Sequence, residues 1–186
     1  LTMASKFEAD IVRSLGKIIS KGYVNQGDKP VHWCVDCGSA LAEAEVEYED
    51  KVSPSIDFSF PIDNKTVSTI FGQELDLPVF VASWTTTPWT VPGNVALTVN
   101  AEFDYCLVQV AKDSKDFCLI IGKDLVEATL ERIEVKDFKI LGSCKGKNLE
   151  SVDAKHPYLD RPSKFVLGDH VTTEVGTGIV HTSPGH

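Results

Sequence analysis

From about residue 55 onward the chain is a succession of short apolar segments separated by turn residues, and this feature limits its possible folds most strongly. In residues 56–60 apolar and polar side chains alternate, as in a strand with one buried face. We predict further strands at residues 79–84, 95–99, 105–110, 117–121, 139–141, 165–167 and 178–181. Residues 123–133 form the one convincing helical pattern in this part. Many short strands with few helices predict an α+β fold, built around a barrel-like mixed sheet.

The first 50 residues have a different pattern. Apolar residues recur at helical spacing within residues 7–24, which predicts an amphipathic helix. The pair Cys34-x-x-Cys37 and an acidic stretch that ends at Asp50 follow this helix. We therefore expect two parts, an N-terminal helix with a zinc-knuckle-like connection in residues 1–50 and a β-rich core in residues 51–186.

The charge balance excludes one class of nucleic-acid binding. The 186 residues carry 18 basic and 27 acidic side chains, a formal net charge of −9. This sign is wrong for a chain that holds nucleic acid by neutralising phosphates alone. No apolar run approaches the roughly 20 residues of a membrane helix. Five cysteines, an odd number, favour metal or redox roles over disulfides. We expect a cytoplasmic protein without a membrane association.

One segment combines hydroxyl and aromatic side chains at the end of a predicted strand. Its sequence is Trp84-Thr85-Thr86-Thr87-Pro88-Trp89-Thr90. Hydroxyl groups cluster there, and backbone N–H groups become available where Pro88 ends strand pairing. Threonine is also a good strand former, so a purely structural role is the alternative. We weigh a binding site and a plain strand equally at this point.

A second segment joins two glycines to a histidine. Its sequence is Gly176-Thr177-Gly178-Ile179-Val180-His181. Glycine lets the backbone approach a ligand closely. A Gly-x-Gly without a third glycine and a following helix is not a nucleotide fingerprint. A lone histidine is more often structural than functional, so residue chemistry alone favours a structural role for His181.

Cys34 and Cys37 have the spacing that places two thiolates on one zinc ion, which needs four ligands. The other cysteines, Cys106, Cys118 and Cys144, are isolated within apolar segments, and we predict that they are buried. The sequence therefore provides half of a zinc site, with the remaining ligands outside this chain. A redox role for the pair is less favoured, because no strand-then-helix context surrounds it.

These segments resemble the editing insert of the isoleucyl-tRNA synthetase family of class I enzymes. The motifs occur in the order and spacing of that family, and the resemblance covers nearly the whole chain. They are the stretch from Lys29 to Tyr48 with CVDCG, then WTTTPWTVPGN, then GDHVT with GTGIVHTSPGH. Valyl and leucyl relatives typically carry arginine at the position of Thr87, so this threonine favours the isoleucyl enzymes.

The resemblance implies the editing-domain fold of the class I valyl, isoleucyl and leucyl enzymes, and a proofreading hydrolase that removes valine from mischarged Val-tRNA(Ile). The complete enzyme would ligate isoleucine to tRNA(Ile) with ATP in protein biosynthesis. One methylene in an apolar pocket is worth about 1–3 kcal/mol, a range for which isoleucyl-tRNA synthetases are themselves the standard example. A second, smaller pocket that admits valine and excludes isoleucine supplies the missing discrimination.

The resemblance also assigns roles to residues. Thr85, Thr86 and Thr87 match the threonine-rich strand of the family, which is implied to hold the attacking water and the developing oxyanion. His181 matches a histidine that limits the size of the amino-acid pocket. The substrate-binding residues implied in this way are Trp84, Trp89, Asn94, Gly176, Thr177, Gly178 and His181.

The family motif continues beyond residue 186 to an aspartate that binds the substrate's ammonium group, so we expect an excised piece of a larger synthetase. Editing needs no cofactor, ATP and Mg belong to the full-length enzyme, and zinc would use Cys34 and Cys37 with ligands from elsewhere. The expected partners are the valine-charged 3′ end of tRNA(Ile) and the rest of the synthetase, with the protein a monomer. The alternatives are a zinc-stabilised binding module and a free-standing deacylase that acts in trans on charged tRNA.

Overall fold

The structure, a computed structural model, describes residues 2–184 of the chain. The chain divides into two compact units, residues 1–49 and 50–186. In the first unit, helix α1 (Ser5–Ser20) forms where apolar residues recur at helical spacing, and none of its residues is buried. Gly22 ends it with a φ of 76° and an N–H bond to the Ile19 carbonyl. Within the described residues, no helix has both the length and the apolar character to span a bilayer.

A small hairpin carries the cysteine pair of the first unit. Strands β1 (Trp33–Cys34) and β2 (Ser39–Ala40) pair in antiparallel fashion. Gly38 makes the turn between them with a φ of 63°, a value that favours glycine. A short 3-10 turn at Glu43–Glu45 is the regular structure of the acidic stretch that follows.

Within residues 50–184 the second unit has nine strands and two α-helices. The strands are β3 (Ile56–Ile62), β4 (Val79–Thr85), β5 (Ala96–Val99), β6 (Asp104–Lys112), β7 (Lys115–Gly122), β8 (Phe138–Lys145), β9 (Asp153–Lys155), β10 (Pro162–Leu167) and β11 (Val180–Thr182). The helices are α2 (Asn64–Phe71) and α3 (Val126–Arg132). The sequence pattern predicted all of these strands except β9, and it predicted α3 but not α2.

All nine strands belong to one mixed sheet, in the order β11-β5-β10-β9-β3-β4-β7-β6-β8. The neighbours β5 and β10, and β4 and β7, are parallel, and the other pairs are antiparallel. The predicted α+β class with a mixed sheet is confirmed. Within the described residues the sheet is not a closed barrel, because closure requires the two outermost strands to pair. Here β11 and β8 do not pair with each other in the part of the chain that the structure describes.

Apolar residues cover both faces of the sheet. Along β7, Cys118 and Ile120 join a core that includes α2, whereas Leu119 and Ile121 join a second core that includes α3. This alternation follows from the period of two in a strand. As predicted, Cys106, Cys118 and Cys144 are buried. The sheet therefore gives the end of β4 and the segment before β11 a packed support.

Candidate functional site

A cleft of about 380 Å³ lies where β4 ends and where the chain approaches β11. One group of lining residues belongs to the threonine segment and comprises Trp84, Thr85, Thr86, Thr87 and Thr90. A second group comprises Gly176, Thr177, Gly178, Ile179, Val180 and His181. The others are His170, Thr172, Val175 and Ser183. The structure thus brings together the two segments that the sequence singled out separately.

The threonine segment turns sharply because its own hydroxyls satisfy its backbone. Pairing between β3 and β4 ends at Thr85, and a 3-10 turn begins at Pro88. Thr85 Oγ1 accepts the N–H of Thr87 at 3.0 Å. Thr90 Oγ1 donates to the Thr87 carbonyl at 2.8 Å. Thr86 is exposed, so its side chain is available to a ligand in the cleft.

The glycine segment adopts a conformation that other residues rarely take. Gly176 and Gly178 have φ values of 82° and 74°. Two hydrogen bonds join the segment to β4: Thr177 Oγ1 donates to the Ala82 carbonyl at 2.9 Å, and Ser83 Oγ donates to the Ile179 carbonyl at 3.2 Å. The glycine segment is therefore held directly to β4, the strand that leads into the threonine segment.

Three successive carbonyls of this segment accept hydrogen bonds from residues that do not line the cleft. The donors are Thr129 Oγ1 to Gly176 O at 3.1 Å, Gly122 N–H to Thr177 O at 2.8 Å and Tyr105 Oη to Gly178 O at 2.9 Å. In a trans peptide the N–H points opposite to the carbonyl. The N–H groups of Thr177 and Gly178 therefore face away from the donors Thr129 and Gly122.

The Tyr105 hydroxyl keeps its proton and so continues to donate its hydrogen bond to the Gly178 carbonyl. Its side chain is fully buried, and burial raises the pKa of its hydroxyl to about 12. The hydroxyl also accepts the N–H of Asn100 at 3.0 Å. The group thus remains protonated over the physiological range and keeps the Gly178 carbonyl in place.

His181 is held by protein groups on both sides of its ring. Nε2 lies 2.7 Å from Thr90 Oγ1, and Nδ1 lies 3.1 Å from Asn94 Nδ2. The ring edge packs on Phe58, with centroids 5.9 Å apart. Asn94 is fully buried and does not line the cleft, so it reaches the site through His181.

The two tryptophans of the threonine segment differ. Trp84 lines the cleft, and its Nε1 is buried without a hydrogen-bond partner within residues 2–184. Trp89 is 62% exposed and is not among the residues that line the cleft. The Arg132 guanidinium lies 5.9 Å from the Trp84 ring centroid. It also forms two hydrogen bonds with the Asp57 carboxylate, at 2.7 and 2.6 Å.

Sequence reasoning did not assign several residues that the fold brings to the cleft. Thr90 belongs to the threonine motif itself, so its hydroxyl was a usable signal. His170 and Thr172 lie in the GDHVT motif, which marked the region without indicating a side chain. Residues 185 and 186 of the GTGIVHTSPGH motif lie outside the described part of the chain.

The cysteine pair lies in the hairpin of the first unit. The Cys37 N–H donates to Cys34 Sγ at an N···S distance of 3.3 Å. This bond holds the pKa of the Cys34 thiol below its usual value, because it stabilises the thiolate. Among residues 2–184 there is no group of three or more His, Cys, Asp or Glu side chains placed to hold a metal ion. The described residues thus contain two adjacent thiols and no complete metal site.

Close relatives by sequence are isoleucine–tRNA ligases. The chain is 54% identical over 188 aligned residues to those of Shewanella baltica and Shewanella putrefaciens. Each alignment covers 100% of this chain and 20% of the relative. The chain therefore spans about a fifth of the length of the curated relatives that it matches.

Solved structures with the same fold come from leucyl enzymes. A crystal structure described as GlLeuRS-CP1 has a TM-score of 0.58 at 16% identity, over 70% of this chain and 55% of that one. The editing domain of the P. knowlesi cytosolic leucyl-tRNA synthetase has a TM-score of 0.55 at 16% identity, over 68% and 55%. The sequence profile of the family "tRNA synthetases class I (I, L, M and V)" matches residues 1–172. With that match over most of its length, the chain belongs to the class I tRNA synthetase family of the isoleucine, leucine, methionine and valine enzymes.

Proposed function

We propose that this chain is the editing region of an isoleucyl-tRNA synthetase, and that its cleft hydrolyses Val-tRNA(Ile). One observation carries the proposal: a hydroxyl-rich turn and a positive-φ glycine segment, far apart in the sequence, line one cleft. The likeness to leucyl editing domains and the identity to isoleucine–tRNA ligases support it. The valine-charged 3′ end of tRNA(Ile) is the substrate, and the rest of the synthetase supplies further contacts.

The reaction is the hydrolysis of an ester. Water attacks the carbonyl carbon of the valyl group, the bond from that carbon to the ribose oxygen breaks, and valine and uncharged tRNA leave. Negative charge develops on the carbonyl oxygen, and the N–H groups of Thr177 and Gly178 are the donors that stabilise it. The hydroxyls of Thr86 and Thr87 hold the attacking water or the terminal ribose.

His181 limits the size of the amino-acid side chain. Because Thr90 and Asn94 fix its ring, it acts as a wall and not as a mobile side chain. Replacing it with alanine enlarges the pocket by about one ring. Isoleucine exceeds valine by one methylene, so the change in selectivity is expected to be about 1–3 kcal/mol, for which this enzyme class is the standard example.

The test uses the full-length synthetase that carries this chain. Deacylation of Val-tRNA(Ile) and Ile-tRNA(Ile) is measured for the wild type and for Thr86→Ala and His181→Ala. We expect Thr86→Ala to slow hydrolysis of Val-tRNA(Ile), and His181→Ala to gain hydrolysis of Ile-tRNA(Ile). Thr69→Ala is the control, because Thr69 is an exposed threonine on α2 whose hydroxyl bonds only the Lys65 carbonyl of its own helix. Unchanged rates in folded Thr86→Ala and His181→Ala enzymes would remove the reaction from this cleft.

We further propose that Cys34 and Cys37 supply two ligands of a structural zinc site, with the others outside residues 2–184. The hairpin fits this role, because its N–H···S bond favours the thiolate form that binds zinc. Zinc content of the full-length enzyme is measured for the wild type and for Cys34→Ser, with Cys118→Ser as a buried control. Equal zinc content in wild type and Cys34→Ser would refute the assignment.

The location of the zinc ligands and the hydrolytic activity together separate the editing proposal from the two alternatives. A zinc-stabilised binding module needs all its metal ligands within this chain and has no deacylase activity. A free-standing deacylase hydrolyses charged tRNA without the remainder of a synthetase. Comparing Val-tRNA(Ile) hydrolysis by the 186-residue chain and by the full-length enzyme distinguishes these cases.

A further inference from the structure

We infer that Asn94 and Ser163 are positioning residues that fix His181 in its neutral Nε2–H tautomer and, through Thr90, hold the turn that carries Thr87. Ser163 lies on β10 and was not singled out from the sequence. Its effect on hydrolysis rests on the proposed function of the cleft. The tautomer itself does not depend on that function.

Asn94 determines the protonation of one ring nitrogen of His181. Its Nδ2 lies 2.8 Å from the carbonyl oxygen of Ala96, which can only accept a hydrogen bond. The amide must therefore present its NH2 group to Ala96, which fixes its orientation. The second N–H of that group points at His181 Nδ1, 3.1 Å away. Nδ1 consequently accepts and carries no proton.

Thr90, on the other side of the ring, determines the protonation of the second nitrogen. The Thr90 hydroxyl has one hydrogen, which it donates to the Thr87 carbonyl at 2.8 Å. Its oxygen must therefore act as the acceptor in the 2.7 Å contact with His181 Nε2. Nε2 consequently carries the proton. The contacts on the two sides of the imidazole ring involve different protein atoms, and both require the Nε2–H tautomer.

Ser163 completes the set. Its Oγ lies 2.7 Å from Asn94 Oδ1 and donates to it, and both side chains are fully buried. Every hydrogen-bonding atom of the Asn94 side chain is thus occupied, so the amide cannot rotate without losing buried hydrogen bonds. The chain of contacts from Ser163 through Asn94, His181 and Thr90 to Thr87 links β10 to the cleft.

This arrangement has a chemical consequence for His181. The lone pair of Nδ1 is engaged by Asn94, and Nε2 already carries a proton, so neither nitrogen can take a proton from an attacking water. The ring contributes shape and anchors Thr90, whose hydrogen bond to the Thr87 carbonyl sets the hydroxyl turn. Asn94 and Ser163 therefore act on hydrolysis only through other residues.

Nitrogen-15 NMR of the chain, with labelled histidine, tests the tautomer directly. The sequence contains five histidines, and a His181→Gln variant identifies the signals of His181. We expect its Nδ1 signal among unprotonated ring nitrogens and its Nε2 signal among protonated ones. An Asn94→Asp variant, whose carboxylate cannot donate, is expected to move the proton to Nδ1. A wild-type His181 with its proton on Nδ1 overturns the inference.

Hydrolysis by the full-length synthetase tests the positioning role. Ser163→Ala is expected to lower kcat for Val-tRNA(Ile) by up to about a hundredfold, the scale of effect that a 1 Å misplacement produces, with little change in KM. The matched control is Thr98→Val on the neighbouring strand β5, which removes a buried hydroxyl bonded to the Thr182 hydroxyl of β11. An unchanged kcat in Ser163→Ala, or an equal loss in Thr98→Val, overturns the role of Ser163. If the wild type itself does not hydrolyse Val-tRNA(Ile), the proposed function fails while the NMR result still decides the tautomer.

Discussion

Replacing Gly178 by alanine should destabilise the second unit far more than the same change at Gly72. Both glycines have positive φ, 74° and 65°, a region that costs an L-residue about 1–2 kcal/mol. A Cβ at Gly178 would lie 3.1 Å from the Gly122 Cα, whereas a Cβ at Gly72 meets no heavy atom within 4 Å. The backbone of β7 cannot move aside by changing a rotamer. We therefore add an overpacking cost of about 1–3 kcal/mol at Gly178 alone.

The free energy of unfolding is measured by urea denaturation for the wild type and both variants, on the same chain. Any gain from a less flexible unfolded state is common to the two glycine-to-alanine changes and cancels in their difference. The expected difference is about 1–3 kcal/mol, seen as a lower midpoint for Gly178→Ala at an unchanged slope. Equal midpoints would refute the claim that the close approach of the two glycine backbones shapes the cleft.

Two further predictions concern charges of the second unit. The N–H of Thr66 holds the pKa of the Asp63 carboxyl below its usual 3.8, because it stabilises the carboxylate. The Asp63 cap of α2 therefore contributes stability above pH 3.8, and this stability is lost as the pH falls through the lower pKa of the folded state. Amide exchange at Thr66 should show the loss in the wild type and not in Asp63→Asn, whose side chain caps the helix without titrating. Arg132→Met should lower the free energy of unfolding by about 1–2 kcal/mol, between the values of exposed and buried ion pairs, because it breaks the half-buried pair with Asp57. Lys123→Met, which removes an exposed 3.9 Å contact, should leave the urea midpoint unchanged. Equal midpoints for the two variants would contradict this prediction.

The fold was predictable from the sequence where the signal is local. The strands follow from short apolar or alternating runs of consecutive residues, and the apolar run of β7 is buried on both of its faces. Helix α2 escaped prediction because it has eight residues and buries only Val67 and Phe71, too few to establish a helical period. Closure into a barrel could not be judged, because alternation tells which side of a strand is buried and not which strand lies beside it.

The candidate site divides in the same way. Its two motifs were visible because unusual residues are adjacent in the sequence. No such signal marks Ser163, Tyr105 or Arg132. These residues bond backbone carbonyls or single side chains that lie 44 to 75 residues away in the sequence. A serine or tyrosine within a strand pattern gives no sign of such a contact before the strands are placed next to each other.

The wide separation of the two halves of the cleft affects how the protein is made. Thr90 and His181 are 91 residues apart, and Ser83 and the Ile179 carbonyl are 96 residues apart. At ribosomal speeds of about 5–20 residues per second, the hydroxyl turn is synthesised roughly 5–20 s before the glycine segment that completes it. During that interval Asn94 lacks the imidazole that it faces in the folded protein, and β5 lacks β11 as a neighbour. Nascent chains stalled between these two segments should therefore expose β5 as an open edge, the kind of surface that chaperones bind and that aggregates form on.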